Sequence, residues 1–245
     1  MPHHLKRNAE FIFSFYEELM NKKNKKEVSE LLNDLSSRFQ FDYFYILNIP
    51  EMTTSKLRSS FILSNWPQEL TKEYDDRSVL THSPVISGLR ASHDPLKWTL
   101  EDVRRKFPAD MAEGVVSMFE RFDMRMGLCF PSFDVEGRAG AVCFAGDRSM
   151  PEDGELATLH LLSHFLFGHL SVLIQDMASG APNLTHRERE CVAWASEGKT
   201  ISETAQIIGI SQNTVNGYLA SAMRKLNVMN KTHLVAKAIR CGVIH

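Results

Sequence analysis

A chain of 245 residues, 43% apolar and 24% charged, is long for one domain, comfortable for two, and has the composition of a soluble globular protein. Its four cysteines, Cys129, Cys143, Cys191 and Cys241, show neither paired nor metal-type spacing, which speaks against a disulfide scaffold and suits reduced thiols in a cytosol. The net charge of −2 hides a division: residues 183–245 carry eight Lys/Arg against four acids and residues 1–182 twenty against twenty-six, so the phosphate-attracting field gathers at one end.

The N-terminus, MPHHLKRNAEF, lacks the apolar stretch and small-residue cleavage site of a secretory signal. Residues 8–21 and 26–39 then place apolar side chains at helical spacing. Phe41 to Ile49 is aromatic and β-branched, the signature of a strand, and Ser59 to Leu63 is its expected partner. Helices are predicted over 68–75 and 109–122. Leu128 to Val135 and Ala139 to Ala145 flank Glu136-Gly137, the turn of an expected hairpin. Glu152 to Gln175 reads as a long helix with Leu159, Leu162, Leu166, Leu170 and Leu173 on one stripe. No apolar run approaches the roughly 18 residues of a membrane span; the most apolar stretch, Phe165 to Ile174, is broken by Gly168 and His169. The expectation is a cytoplasmic protein without membrane contact. Helices on both sides of a small, mainly antiparallel sheet predict an α/β/α sandwich of the kind used to sense ligands. A small, polar, Pro/Gly-containing stretch, 178–183, predicts a linker between a domain of residues 1–177 and a second of 184–245.

In the second domain, caps mark four helices. Thr185-His-Arg-Glu188 and Thr200-Ile-Ser-Glu203 are capping boxes, with Gly198 and Gly209 as the corresponding stops. Ser211 caps a third helix whose apolar positions are Val215, Leu219, Ala222, Met223 and Leu226. Asn230 begins a fourth, with Leu234, Val235, Ala238 and Ile239 on one face and Gly242 at its end. Gly209-Ile210-Ser211 alone separates the second and third helices, which is the short turn of a DNA-binding helix-turn-helix. The third helix turns Gln212, Asn213, Asn216, Gly217 and Ala220 outward: amides that bond adenine, and small residues that allow close approach. Lys199, Arg224, Lys225 and Lys231 surround them as phosphate ligands.

From Leu184 to Ile244 the chain resembles the C-terminal DNA-binding domain of LuxR-type regulators. Leu184, Thr185, Arg187, Glu188, Gly198, Lys199, Thr200, Ile210, Ser211, Thr214, Val215, Lys225, Leu226 and Asn230 stand where that pattern expects them. The resemblance implies that the third helix reads the major groove of double-stranded DNA, with Thr200 and Thr214 joining the contact set, and that the fourth helps pair two domains. Residues 1–175 do not alternate strands and helices as a phosphorylated receiver would. They resemble the autoinducer-binding domain of the quorum-sensing branch, through Asn65 to Tyr74, Ser83-Pro84-Val85, Trp98, and Gly127 with Pro131.

That second resemblance implies a ligand pocket holding Trp66, Leu70, Tyr74, Ser83, Pro84, Trp98 and Gly127. In the family a Trp indole binds the lactone carbonyl of an acyl-homoserine lactone, an Asp accepts its amide N–H, and a Tyr bonds its acyl carbonyl. Here those three positions hold Leu70, Ser83 and Trp66: the aromatic walls are kept and the polar anchors changed. The expectation is a transcription regulator under a small-molecule signal other than a standard acyl-homoserine lactone. Open beside it stand a ligand-independent regulator acting through a partner subunit and a conventional receptor with altered anchors. A dimer, with itself or with a related regulator, is expected in each case.

Other signals point elsewhere less well. His160 and His164 at i, i+4, with His169 near, lack the Glu of a zinc-protease helix and read as surface or packing histidines, so no metal is expected. Lys22 to Lys26 and Arg104-Arg105-Lys106 read as solvated charge; Asp75-Asp76 and Glu152-Asp153 as a helix end and a helix start. With no phosphate-cradling glycine loop, nucleophile elbow or Ser/His/Asp arrangement, neither an enzyme nor a cofactor is expected.

Overall fold

The computed structural model describes residues 3–51, 54, 56–134, 137–177 and 184–244, with side chains left out for 3–7 and 175–177. The chain divides into two compact units, Met1–Ile174 and Gln175–His245. The expected linker, 178–183, lies outside the described residues, as does Glu136 of the expected hairpin turn.

The first unit is an α/β/α sandwich. Its five-stranded sheet has the order β2-β1-β5-β4-β3, built from β1 (Tyr43–Asn48), β2 (Phe61–Ser64), β3 (Leu96–Thr99), β4 (Met126–Phe133) and β5 (Ala139–Gly146). Every pairing is antiparallel. The helices α1 (His3–Met20), α2 (Lys25–Arg38) and α8 (Asp153–Met177) cover one face. The other carries α3 (Gln68–Asp76), α4 (Val79–His82), α5 (Pro84–Ala91), α6 (Leu100–Lys106) and α7 (Ala109–Glu120).

Period-two alternation divides the central strands between two cores. Phe44, Ile46, Met126, Leu128, Phe130, Val142 and Phe144 meet the leucine stripe of α8, where Leu159, Leu162, Leu166 and Leu170 are fully buried. The opposite face shows Cys129, Ala141, Cys143 and Ala145, small side chains that leave depth above the sheet. By length and composition, 153–174 within α8 would cross a membrane, contrary to the reading of the bare sequence. In the fold its apolar stripe is spent on the sheet instead.

Two stretches depart from expectation. Leu57–Ser60 forms a 3-10 turn rather than the start of β2, because Asp75 on α3 accepts the Leu57 N–H at 2.7 Å and the Leu57 side chain enters the core. Residues 79–106, for which the sequence predicts no element, hold α4, α5, β3 and α6. These are four to eight residues each, shorter than periodicity can register, and two rest on local caps. Ser83 caps α5 with Pro84 at its first position, and Thr99 with Asp102 forms the capping box of α6.

In the second unit α9 (His186–Ser196), α10 (Ile201–Ile208), α11 (Gln212–Lys225) and α12 (Lys231–Arg240) follow the caps read from the sequence. Thr185 and Thr200 form both capping boxes, and Ser211 and Asn230 accept from Thr214 and His233 N–H groups. Gly209, at φ +70°, ends α10, and the Ile210 N–H returns to the Ala205 carbonyl at 3.1 Å to close the turn. Val215, Leu219, Ala222 and Leu226 are buried with Leu234 and Ala238. The apolar face expected of α12 is therefore split: Leu234 is sealed in the core of its own unit, while Ile239 is 50% exposed.

Candidate ligand cavity and nucleic-acid interface

The depth left by the small residues of β4 and β5 is filled from the helical side by large aromatic side chains, and the fill is incomplete. A cavity of about 100 Å³ remains between the sheet and α3 to α7. Trp66, Tyr74, Ser83, Pro84 and Trp98 of the sequence-predicted pocket all line it. Leu70 and Gly127 do not. Leu70, on the α3 turn before Tyr74, is fully buried in the surrounding core. Gly127 seats Trp98, since a Cβ there would lie 2.5 Å from the indole Nε1.

Tyr45, Phe107 and Phe119 complete the aromatic wall. The sequence reading missed these, although Tyr45 follows from alternation along β1, where Phe44 and Ile46 face the other core. The Trp66 ring meets Tyr45 edge-on at 5.0 Å and Tyr74 at 5.8 Å, and Trp98 lies over Phe119 at 5.2 Å. Edge-to-face contacts of this kind fix ring positions as well as burying area.

Four polar groups enter this apolar box. Burial pushes the Tyr45 and Tyr74 hydroxyls upward from their ordinary pKa, so both stay neutral O–H groups. Tyr45 shares a 3.5 Å contact with the Cys129 thiol, and the Ser83 hydroxyl beside Tyr74 offsets part of the upward push of burial on that phenol. Ser83 Oγ accepts the Ile86 N–H at 3.4 Å, so the residue at the family's carboxylate position is a helix cap. The fourth group is the Trp66 Nε1–H, buried with no hydrogen-bond partner. Charge is confined to Lys97, Asp102 and Lys106, where Asp102 and Lys106 pair at 3.2 Å.

In the second unit, α11 exposes Gln212, Asn213, Thr214, Asn216, Gly217, Ala220 and Arg224, and Lys199, Thr200 and Lys231 are exposed on the neighbouring elements. Several are engaged locally. Gln212 Nε2 donates to Ser202 Oγ at 3.2 Å, Thr214 shares a 2.8 Å bond with Ser211, and Thr200 caps α10. Lys225 has a structural partner: its Nζ lies 2.7 Å from the carboxylate of Glu188, which is itself almost fully buried in the capping box of α9. Burial alone would push Glu188 up, but hydrogen bonds from Lys225, Ser221 and Thr185 outweigh it and hold the carboxyl at about 2. Of the histidines weighed as ligands, His160 stacks on Phe130 at 5.6 Å and His169 bonds the Lys22 carbonyl at 2.8 Å.

Residues 24–170 match the family model of the autoinducer binding domain, and residues 182–238 that of the bacterial regulatory proteins of the luxR family. The chain is 29% identical over 223 residues to the transcriptional activator protein BjaR1 of Bradyrhizobium diazoefficiens, covering 90% of this chain and 91% of that one. To the transcriptional activator protein LuxR of Aliivibrio fischeri it is 26% identical over 227 residues, covering 91% and 90%. Among solved structures, SdiA in complex with octanoyl-rac-glycerol superimposes with a TM-score of 0.78 at 22% identity, over 100% of this chain and 98% of that one. Escherichia coli SdiA gives 0.76 at 20% identity, over 97% and 99%. At these identities the two structural matches speak for the fold.

Proposed function

The chain belongs to the LuxR family of autoinducer-binding transcription regulators, and from that premise we propose that it is a cytoplasmic, dimeric regulator whose signal is a small molecule other than a standard acyl-homoserine lactone. One observation carries the second half. Of the positions at which the family anchors the lactone ring and the amide, one is Leu70, which lies in the core and off the cavity, and the other is Ser83, a neutral helix cap. A standard acyl-homoserine lactone loses a neutral hydrogen bond and a charge-assisted one there, together about two to three decades of affinity. Calorimetric titration of the purified protein with acyl-homoserine lactones of several chain lengths is expected to give no affinity tighter than micromolar. Nanomolar binding of any of them would overturn this reading.

DNA recognition is assigned to α11. Asn216 sits on its exposed face, one residue before Gly217, whose missing side chain lets the helix lie close to a groove floor. Asn216→Ala is expected to cost about 1–3 kcal/mol in operator binding and to relax preference at one or two base pairs. Unchanged affinity across a panel of operator variants would move the reading face elsewhere. Lys199, Arg224 and Lys231 are the stronger phosphate ligands, since Lys225 is engaged by Glu188. Pairing through the outer edge of α12, where Ile239 is exposed, suits recognition of two half-sites.

A further inference from the structure

Cys129 and Cys143 face each other across the two longest strands of the sensor sheet. They are Cα partners in the antiparallel pair of β4 and β5, and both are fully buried on the cavity side. Opposed residues in such a pair alternate between two spacings, and the wider belongs to those that exchange N–H···O bonds. At the hairpin end the Asp134 N–H donates to the Arg138 carbonyl at 3.2 Å, which makes that pair one of the bonded kind. Pro131, opposite Ala141, has no N–H to exchange and is of the other kind. Two residues further on, in the same phase, Cys129 and Cys143 take the narrower spacing, about 4.5 Å between Cα atoms. A disulfide spans roughly 4.4–6.8 Å between Cα atoms, so these two sulfurs can bond without moving the backbone.

Tyr45 ties the pair to the cavity. It is the β1 partner of Cys143, its hydroxyl reaches the Cys129 thiol at 3.5 Å, and its ring lines the cavity. Burial, and after it the Cys129 thiol alongside, push the Cys143 thiol upward, so at rest little thiolate forms and the pair is slow to react.

We propose that Cys129 and Cys143 are a modification site, an oxidisable dithiol that a small peroxide converts to a cross-strand disulfide beneath the sensor cavity. One thiolate attacks a peroxide oxygen, the O–O bond breaks, and a sulfenic acid forms. The second sulfur displaces its oxygen. In sum the two thiols give up two protons and two electrons, and hydrogen peroxide takes them to leave as two waters. The Cys129 sulfur then has no proton to share with Tyr45, and the wall that Tyr45 forms with Trp66 is altered. The chemistry is independent of what the cavity binds.

The folded, full-length protein is held with excess hydrogen peroxide, then denatured, alkylated and cut with trypsin without reductant. Cleavage after Arg125, Arg138 and Arg148 puts the two cysteines on separate peptides, 126–138 and 139–148. These are expected to appear joined, two hydrogens below their summed mass, and to part on reduction. Exposed Cys241 serves as the gauge that oxidant has acted. Cys129→Ser should abolish the joined species, and a linked pair seen only after unfolding in urea would overturn the site. So would recovery of both peptides as alkylated thiols once Cys241 is fully oxidised. Sulfinic or sulfonic acid at either cysteine without the link would overturn it as well, since the oxidant would have arrived and the sulfurs not met. In the oxidised protein the Trp66 indole N–H resonance is expected to move and to return on reduction. A resonance that stays in place while the link forms would overturn the coupling to the cavity.

Discussion

The two units differ in where their structure is written. Each helix of the second unit starts at a side-chain cap from its own first turn, and Gly198, Gly209 and Gly242 punctuate the ends of three, all within a few residues of the element they define. The sensor unit depends on partners far along the chain: Tyr43 pairs with Ala145, and Leu47 with Ala141. Local rules place a helical domain, whereas the floor of a cavity exists only once distant strands have met. The contrast also separates their failures. A change in the sensor should act through packing, and one in the second unit through caps and charges.

The largest effect that would test this division is expected from Gly140→Ala. Gly140 stands opposite Asn48 on β1, and a Cβ there would lie 2.1 Å from the Phe167 ring and 2.7 Å from the Leu47 carbonyl. One methyl group would force apart a strand pair and the α8 stripe together, at a cost of about 3 kcal/mol. Unfolding followed by the indole signals of Trp66 and Trp98 should shift to lower denaturant, while that of Trp194 in α9 stays in place. A common shift of all three would show that the units do not unfold separately.

What could be read beforehand follows the same line. The sandwich, the leucine stripe of α8 and all four helices of the second unit were legible, because hydrophobic period and capping chemistry are local. The stretch 79–106 was not: α4 and β3 are four residues each, too short for a period to show, and the local caps of α5 (Ser83 with Pro84) and α6 (Thr99 with Asp102) went unread. For the cavity, resemblance located Trp66, Tyr74, Ser83, Pro84 and Trp98, yet it also included Leu70, whose burial depends on the angle at which α3 packs. No sequence pattern reports that an indole N–H will lack a partner. The role of Lys225 was likewise hidden, because Glu188 lies 37 residues away and an exposed-looking lysine near a reading helix suggests phosphate.

That ion pair supplies the next effect, about 2 kcal/mol, the worth of a hydrogen bond to a charged group. Lys225→Ala should lower the stability of the second unit and leave Glu188 buried with fewer donors. The carboxyl titrates at about 2 in the folded unit, below its unfolded value. Its contribution is therefore fully present above about pH 4.5 and drains away as pH falls toward 2. In Lys225→Ala the acid transition, followed by Trp194 fluorescence, should begin at higher pH. An unaltered acid profile would mean that Ser221 and Thr185 hold the carboxylate by themselves. A smaller cost, about 1 kcal/mol, is expected for Thr200→Ala, which removes a cap that Thr200→Ser would keep. Equal melting temperatures for those two variants would deny the cap its role.

The smallest expected effect on stability comes from α12, and there it separates folding from pairing. Leu234 is fully buried with Val215 and Leu219, whereas Ile239 is 50% exposed on a groove that Ile201, Val235 and Lys199 also line. Ile239→Ser removes apolar surface that the isolated unit does not bury, so its unfolding free energy should stay within about 0.5 kcal/mol of wild type. If a second copy of the chain covers this edge, the same substitution should weaken self-association several-fold, because exposed apolar area at the centre of an interface is where association gains most. Sedimentation equilibrium of wild type and Ile239→Ser over a micromolar range measures this directly. An unchanged association constant would remove the outer edge of α12 from the pairing surface. A wild type that is monomeric throughout that range would count against a homodimer and favour pairing with a related regulator.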